Sequence, residues 1–161
     1  MSTKRVLRHL ASGSVRRAFD AATLDAIEQT ITEMERSHGG EIRFAIEASL
    51  PALEVMRKVT PRERALHVFS HLGVWDTEAN NGVLIYVLWA DRDVEIVADR
   101  GYNGRVSARE WSDVCHRMEQ LFGNGDTRQA STEGVRAVGA LIARHFPAVD
   151  RDELPNRPVV L

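Results

Sequence analysis

The sequence predicts a single α/β domain, a three-layer α/β/α sandwich around a small mixed β-sheet. Three observations predict it. Segments with apolar residues at helical spacing alternate with short strand-like runs, giving the order α-β-α-β-β-α-α. One run, GVLIYVLW at residues 82–89, is nearly unbroken, the mark of a strand covered on both faces. The length of 161 residues fits one domain at about 150 residues each.

The elements follow in order. Leu24, Ile27, Ile31 and Met34 fall at 3–4 spacing among acids and an arginine, which predicts an amphipathic helix near 21–37, ended by Gly39-Gly40. Residues 41–49 alternate, with Ile42, Phe44 and Ile46 on one face and Arg43, Ala45 and Glu47 on the other, as a strand does. Thr60-Pro61-Arg62-Glu63 is a capping box with proline in the first turn, so a helix runs from there to about Leu72. The apolar run at 82–89 is the next strand. A polar turn, Ala90-Asp91-Arg92-Asp93, leads into a second alternating run at 94–99, so the two strands form an antiparallel hairpin. Ser107-Ala108-Arg109-Glu110 repeats the capping box and opens a helix carrying Trp111, Val114, Cys115, Met118, Leu121 and Phe122. A Gly-Asn-Gly-Asp break precedes a last helix with Val135, Val138, Leu141, Ile142 and Phe146 inward, stopped at Pro147. The tail at 148–161 is polar and proline-bearing, and is expected to be extended or disordered.

Composition narrows the function. Apolar residues make up 43% and charged residues 27%, the profile of a soluble globular chain. The net charge of −2 leaves no general basic excess for nucleic acid. A single cysteine excludes a disulfide framework and Cys-cluster metal sites, and Cys115 on an apolar helical stripe reads as an inert core thiol. No run is long enough for a signal peptide or a membrane span, so a cytoplasmic protein is expected. The leading segment, residues 1–17, holds Lys4, Arg5, Arg8, Arg16 and Arg17 and no acid. It reads as a solvated end, with peripheral contact to an anionic membrane or an acidic partner as the alternative.

Among chemical motifs, the phosphate-binding, dinucleotide, nucleophile-elbow and metalloprotease signatures are all missing. His67 and His71 have the i, i+4 spacing of a metal pair, but a third ligand from Asp76 or Glu78 would have to converge on them. The acidic stretch from Asp76 to Arg100 sets six acids against two arginines. Carboxylates gathered on one loop repel unless a cation or arginine neutralises them, and hard oxygen donors suit calcium or magnesium. Solvated acids at strand ends are the competing reading.

The stretch NNGVLIYVLWADRDVEIVADRGYNG, residues 80–104, resembles the TPM domain family, with its Asn-Gly before a buried strand, its Asp-Arg turn and its Gly-Tyr-x-Gly corner. The surrounding order is similar too: a strand beginning Gly-Glu-Ile, and a Gly-Val-x-Ala-Val-Gly patch from Gly134 to Gly139 in the closing helix. The resemblance spans about residues 18–147. It implies an α/β sandwich with a loop-lined acidic site, calcium-binding in some members and an acid phosphatase in the thylakoid lumen in another. Carried over by position, the binding candidates are Asn80, Asn81, Arg100, Gly101 and Tyr102.

The resulting expectation is a TPM-like domain acting as a divalent-cation-dependent acid phosphatase on phosphomonoesters. Asp76 and Asp91 would hold calcium or magnesium, Arg92 or Arg100 would clamp the phosphate as a fork, and Asp93 would serve as general base, so that Asp91, Arg92 and Asp93 form the catalytic set. The alternative is a non-catalytic module that binds calcium or a protein partner.

Overall fold

Hydrophobic alternation in the strands decides the layers. A computed structural model describes Arg5, Leu7 and residues 15–149 and 151–161. Four strands, β1 (Glu41–Glu47), β2 (Gly82–Leu88), β3 (Asp93–Ala98) and β4 (Val159–Val160), form one sheet in the order β3-β2-β1-β4. β2 runs parallel to β1, with Glu41 opposite Gly82 and Glu47 opposite Leu88, and β4 is also parallel to β1. β3 is antiparallel to β2, so the hairpin expected from the sequence is present. Described helices are α1 (Val15–Ala18), α2 (Ala21–Glu35), α3 (Ala52–Met56), α4 (Pro61–His71), α5 (Ala108–Gly123) and α6 (Thr127–His145).

Side chains of alternate strand residues enter two separate cores, as the period of two demands. Ile42, Phe44, Ile46, Val83, Ile85 and Val87 pack against α2, α5 and α6. Ala45, Leu84, Tyr86 and Leu88 face the other way, onto Val55 of α3 and Ala65 and Val68 of α4. The fold is therefore the mixed-sheet α/β sandwich that the sequence predicts.

Helix starts follow local chemistry. Asp20 accepts from the Thr23 amide at the start of α2, and both capping boxes form, Thr60 with Glu63 and Ser107 with Glu110. Two elements go beyond the sequence expectation. α3 is a single short helix after Pro51, without a side-chain cap. β4 arises in the tail, which lies extended across the outer edge of β1 and is anchored there. The expectation of a solvated or membrane-docking N-terminal segment, residues 1–17, falls largely outside the described residues. Among the described residues no helix is long and apolar enough to cross a membrane.

β1 is buried along its whole length, including Glu41, Arg43 and Glu47, although alternation alone suggests a wet face. Glu47 and Arg43 have fixed partners. The Arg64 guanidinium donates two 2.8 Å bonds to Glu47 and the Tyr86 hydroxyl a third at 2.6 Å. Arg43 donates to the carbonyls of Pro155 and Arg157, both at 2.6 Å.

The fully buried Ile85 at the centre of β2 gives the direct test of this packing. Ile85→Asp would bury a carboxylate without a partner and cost about 3 kcal/mol or more. Thermal unfolding should show a large drop in Tm or loss of soluble protein. A wild-type midpoint would contradict the buried position.

Candidate metal centre

One end of the sheet gathers the starts of β1 and β2, the end of β3 and the approach to β4. Helix α2 delivers Glu35, and the chain then turns through His38-Gly39-Gly40 into Glu41, the first residue of β1. Asp152 arrives from the tail. One carboxylate oxygen from each of Glu35, Glu41 and Asp152 lies within 4.8 Å of the others. Two oxygens on one calcium, each at about 2.5 Å, can be no more than about 5 Å apart, so the spacing fits a single ion.

Backbone amides orient these carboxylates. The Ile42 N–H donates to Oε1 of Glu35 at 3.0 Å, and the Leu154 N–H donates to Oε2 of Glu41 at 3.0 Å. Oε2 of Glu35 and Oδ1 of Asn156 are shielded from solvent without a hydrogen-bond partner. Glu35, Arg36, His38, Glu41, Asp152 and Asn156 line one cavity of about 270 Å³. His38 is 1% exposed. Its Nδ1 accepts from the Gly40 N–H, so the neutral ring carries its proton on Nε2, which has no acceptor. Burial holds the imidazole below its ordinary pKa.

The electrostatics follow from crowding. Burial, and then the charges of Glu41 and Asp152, push the Glu35 carboxyl up to about 8, against the pull of the Ile42 amide. Glu41 is raised as well, first by burial and then by Asp152 and Glu153, with the amides of Leu154 and Glu153 opposing. Donors of this type are hard oxygens suited to calcium or magnesium.

Next to this cluster the structure brings together all five binding candidates. The buried Asn81 donates from Nδ2 to the Gly39 carbonyl at 2.6 Å, and its own carbonyl accepts from the Tyr102 hydroxyl at 2.8 Å and the Glu41 amide at 3.3 Å. Arg100 donates from Nε to Oδ1 of Asn80 at 2.8 Å, and the Gly101 amide donates to the Asn80 carbonyl. A Cβ at Gly101 would collide with that carbonyl oxygen, which is why the corner needs glycine. Tyr102 is buried edge-on against Trp111 and Phe146, and desolvation raises its phenol. These bonds tie three loops into the wall beside the acidic cluster.

The other candidates are not brought together with them. Asp76 is exposed in the loop before β2, while Asp91 follows its far end, about 20 Å away along seven residues of strand. The pair Asp76 and Asp91 therefore does not share one ion. Asp91, Arg92 and Asp93 do sit on one turn. Asp91 is bridged to Arg5 at 2.9 Å, and the Arg92 guanidinium lies over the Trp89 ring, 3.3 Å from its centre. Burial, with Glu95, Glu119 and Asp91 nearby, pushes the Asp93 carboxyl up to about 6. His67 and His71 are both exposed and join no three-ligand group among the described residues. Cys115 is buried and its thiol is pushed up to about 12, the inert state expected. Sequence reasoning missed Glu35, Glu41 and Asp152. The only local signal was a pair of glutamates bracketing Gly39-Gly40.

The Glu35 shift fixes a sign. A carboxyl whose native pKa lies near 8, above its ordinary 4.5, binds its proton more tightly when folded. Its stabilising contribution is complete below about 4.5 and is lost as pH rises through 8. In chelator, Glu35→Gln should therefore be more stable than wild type at pH 8, by on the order of 2 kcal/mol after solvent screening, with the gap closing by pH 5. Melting curves of both proteins across this window check it, and a gap independent of pH would contradict it. Gly101→Ala should lower the midpoint by about 1–3 kcal/mol through the Asn80 collision, read by the same melts.

Comparison with known proteins places this geometry in a family. The TPM domain model matches residues 16–141. Among solved structures, the NMR structure of BA42 protein from the psychrophilic bacterium Bizionia argentinensis is 31% identical, with a TM-score of 0.76, covering 88% of this chain and 94% of that one. The N-terminal domain of a protein from P. gingivalis, also solved by NMR, is 22% identical with a TM-score of 0.64, covering 88% and 85%, and shares the fold. No curated protein matches the sequence. The chain belongs to the TPM domain family.

Proposed function

We propose that this TPM domain is a divalent-cation-binding module, with calcium as the preferred ion and Glu35, Glu41 and Asp152 as its carboxylate ligands. The observation that carries this reading is the convergence of three carboxylate oxygens within 4.8 Å, one of them on the 3%-exposed Glu41. Three carboxyls at that separation, one buried, one half-buried and one exposed, resist ionising together until a cation joins them. The unpartnered Nε2–H of the buried His38 in the same cavity supports it independently, since a water or anion carried by the ion would supply the missing acceptor. When bound, such an ion would polarise a phosphoryl or carboxylate oxygen.

A second reading, phosphomonoester hydrolysis at mildly acidic pH, draws on the turn at the other end of β2. There Asp93, titrating near 6, would be the proton-transferring group beside Arg92, which would hold the phosphate. With Asp76 and Asp91 at opposite ends of β2, a metal requirement would have to act through the Glu35 cluster.

Calcium titration by calorimetry, with melting curves in calcium, magnesium and chelator, tests the first reading. Calcium at a hundredfold excess over Kd should stabilise the fold by about 2.7 kcal/mol. Glu41→Gln with Asp152→Asn should abolish that increment, while Asp76→Asn with Asp91→Asn should leave it intact. Loss of the increment in the second pair only would overturn the assignment. Turnover of p-nitrophenyl phosphate near pH 6, lost in Asp93→Asn, would support the second reading; no turnover leaves a binding module.

A further inference from the structure

The cation cluster is split between the body of the domain and its tail. Glu35 and Glu41 lie within the residues matched by the family model, whereas Asp152 lies beyond them. The tail that carries Asp152 is tied to the body at successive points. Leu154, 8% exposed, enters the core on the α4 side, and its amide donates to Glu41. The buried Arg43 reaches the carbonyls of Pro155 and Arg157. Asn156 donates to Thr32 of α2 at 3.2 Å, and Arg157 pairs with Asp25 and Glu28 of the same helix. Val159 and Val160 pair with Ala45 and Ile46, and the Leu161 amide donates to the Ile46 carbonyl at 2.8 Å.

Resting on the cation-binding reading above, we infer that residues 152–161 are a strap that the bound cation fastens across the outer edge of β1. The reasoning is linkage. Docking the tail places a third carboxylate beside two others, which opposes docking when no ion is present. With an ion in the cavity, the same carboxylate becomes a ligand and docking is favoured. The factor by which the ion prefers the docked form is the factor by which it shifts the docking equilibrium. The second observation that marks the cavity as a ligand site is His38, buried to 1% exposure with Nε2–H unpartnered. Release of the strap would uncover the backbone edge of β1 at Ala45 and Ile46, groups that then lack strand partners. The ion would thus govern access to a strand edge at the centre of the fold.

The experiment uses the full chain. Amide hydrogen exchange by NMR follows the Leu154 and Leu161 amides in chelator and in saturating calcium chloride, and calorimetry follows calcium affinity. In wild type, calcium should slow exchange at both amides at least fivefold. In Asp152→Asn, the tail should stay docked in chelator and calcium should add no protection. Arg157→Ala, an exposed change outside the ligand set, should loosen the strap and weaken calcium affinity severalfold while leaving the melting midpoint in chelator unchanged. Calcium binding with unchanged tail exchange, or undiminished affinity in Arg157→Ala with a loosened tail, would overturn the strap and leave the cation site standing. Absence of calcium and magnesium binding in wild type would overturn both.

Discussion

β1 carries three charged side chains into the interior, and much of the molecule is arranged around them. Removing one partner from a buried ion pair leaves an uncompensated charge, a penalty of about 3–5 kcal/mol, so Arg64 is a structural requirement for the buried Glu47. Glu47 holds Arg64 and Tyr86, which fixes where α4 lies against the sheet. Arg43 has carbonyl acceptors only because the tail crosses beside it. Glu41 receives a tail amide and keeps a second oxygen toward the cavity. One strand therefore positions a crossover helix, a terminal segment and the candidate metal centre.

What was legible in the sequence was local. The capping boxes at Thr60 and Ser107 form because every atom they need lies within four residues. The hairpin and the unbroken apolar run at β2 were readable for the same reason. The face of β1 that carries Arg43 and Glu47 is dry because their partners stand 17 to 114 residues away, a contact that periodicity cannot see. α3 and β4 are short elements made stable by tertiary contact, and β4 exists because β1 offers an edge.

The site divides the same way. Asn80, Asn81, Arg100, Gly101 and Tyr102 come together because a hairpin returns the end of β3 to the start of β2. Asp76 and Asp91 looked close because they flank one strand, yet a strand separates what it connects. Glu35 and Asp152 are far apart in sequence, and no motif links them. Only the path of the tail does.

The two ends of the sheet neutralise their acids differently. At the hairpin end Asp91 meets Arg5, although Asp93 beside it is still raised by burial and neighbouring acids, and on the same side of β1 Glu47 meets Arg64. At the opposite end, the charges acting on Glu35 and Glu41 come from other carboxylates, and what holds against them is backbone N–H and, at Glu35, the Asn156 side chain. Amides satisfy one oxygen of a carboxylate and orient it, but they contribute no full positive charge. Glu35 shows the result: Oε1 is fixed by the Ile42 amide, and Oε2 lies shielded and unpartnered. Carboxylates oriented by amides are preorganised for an external cation, because the ion then meets donors already held in place.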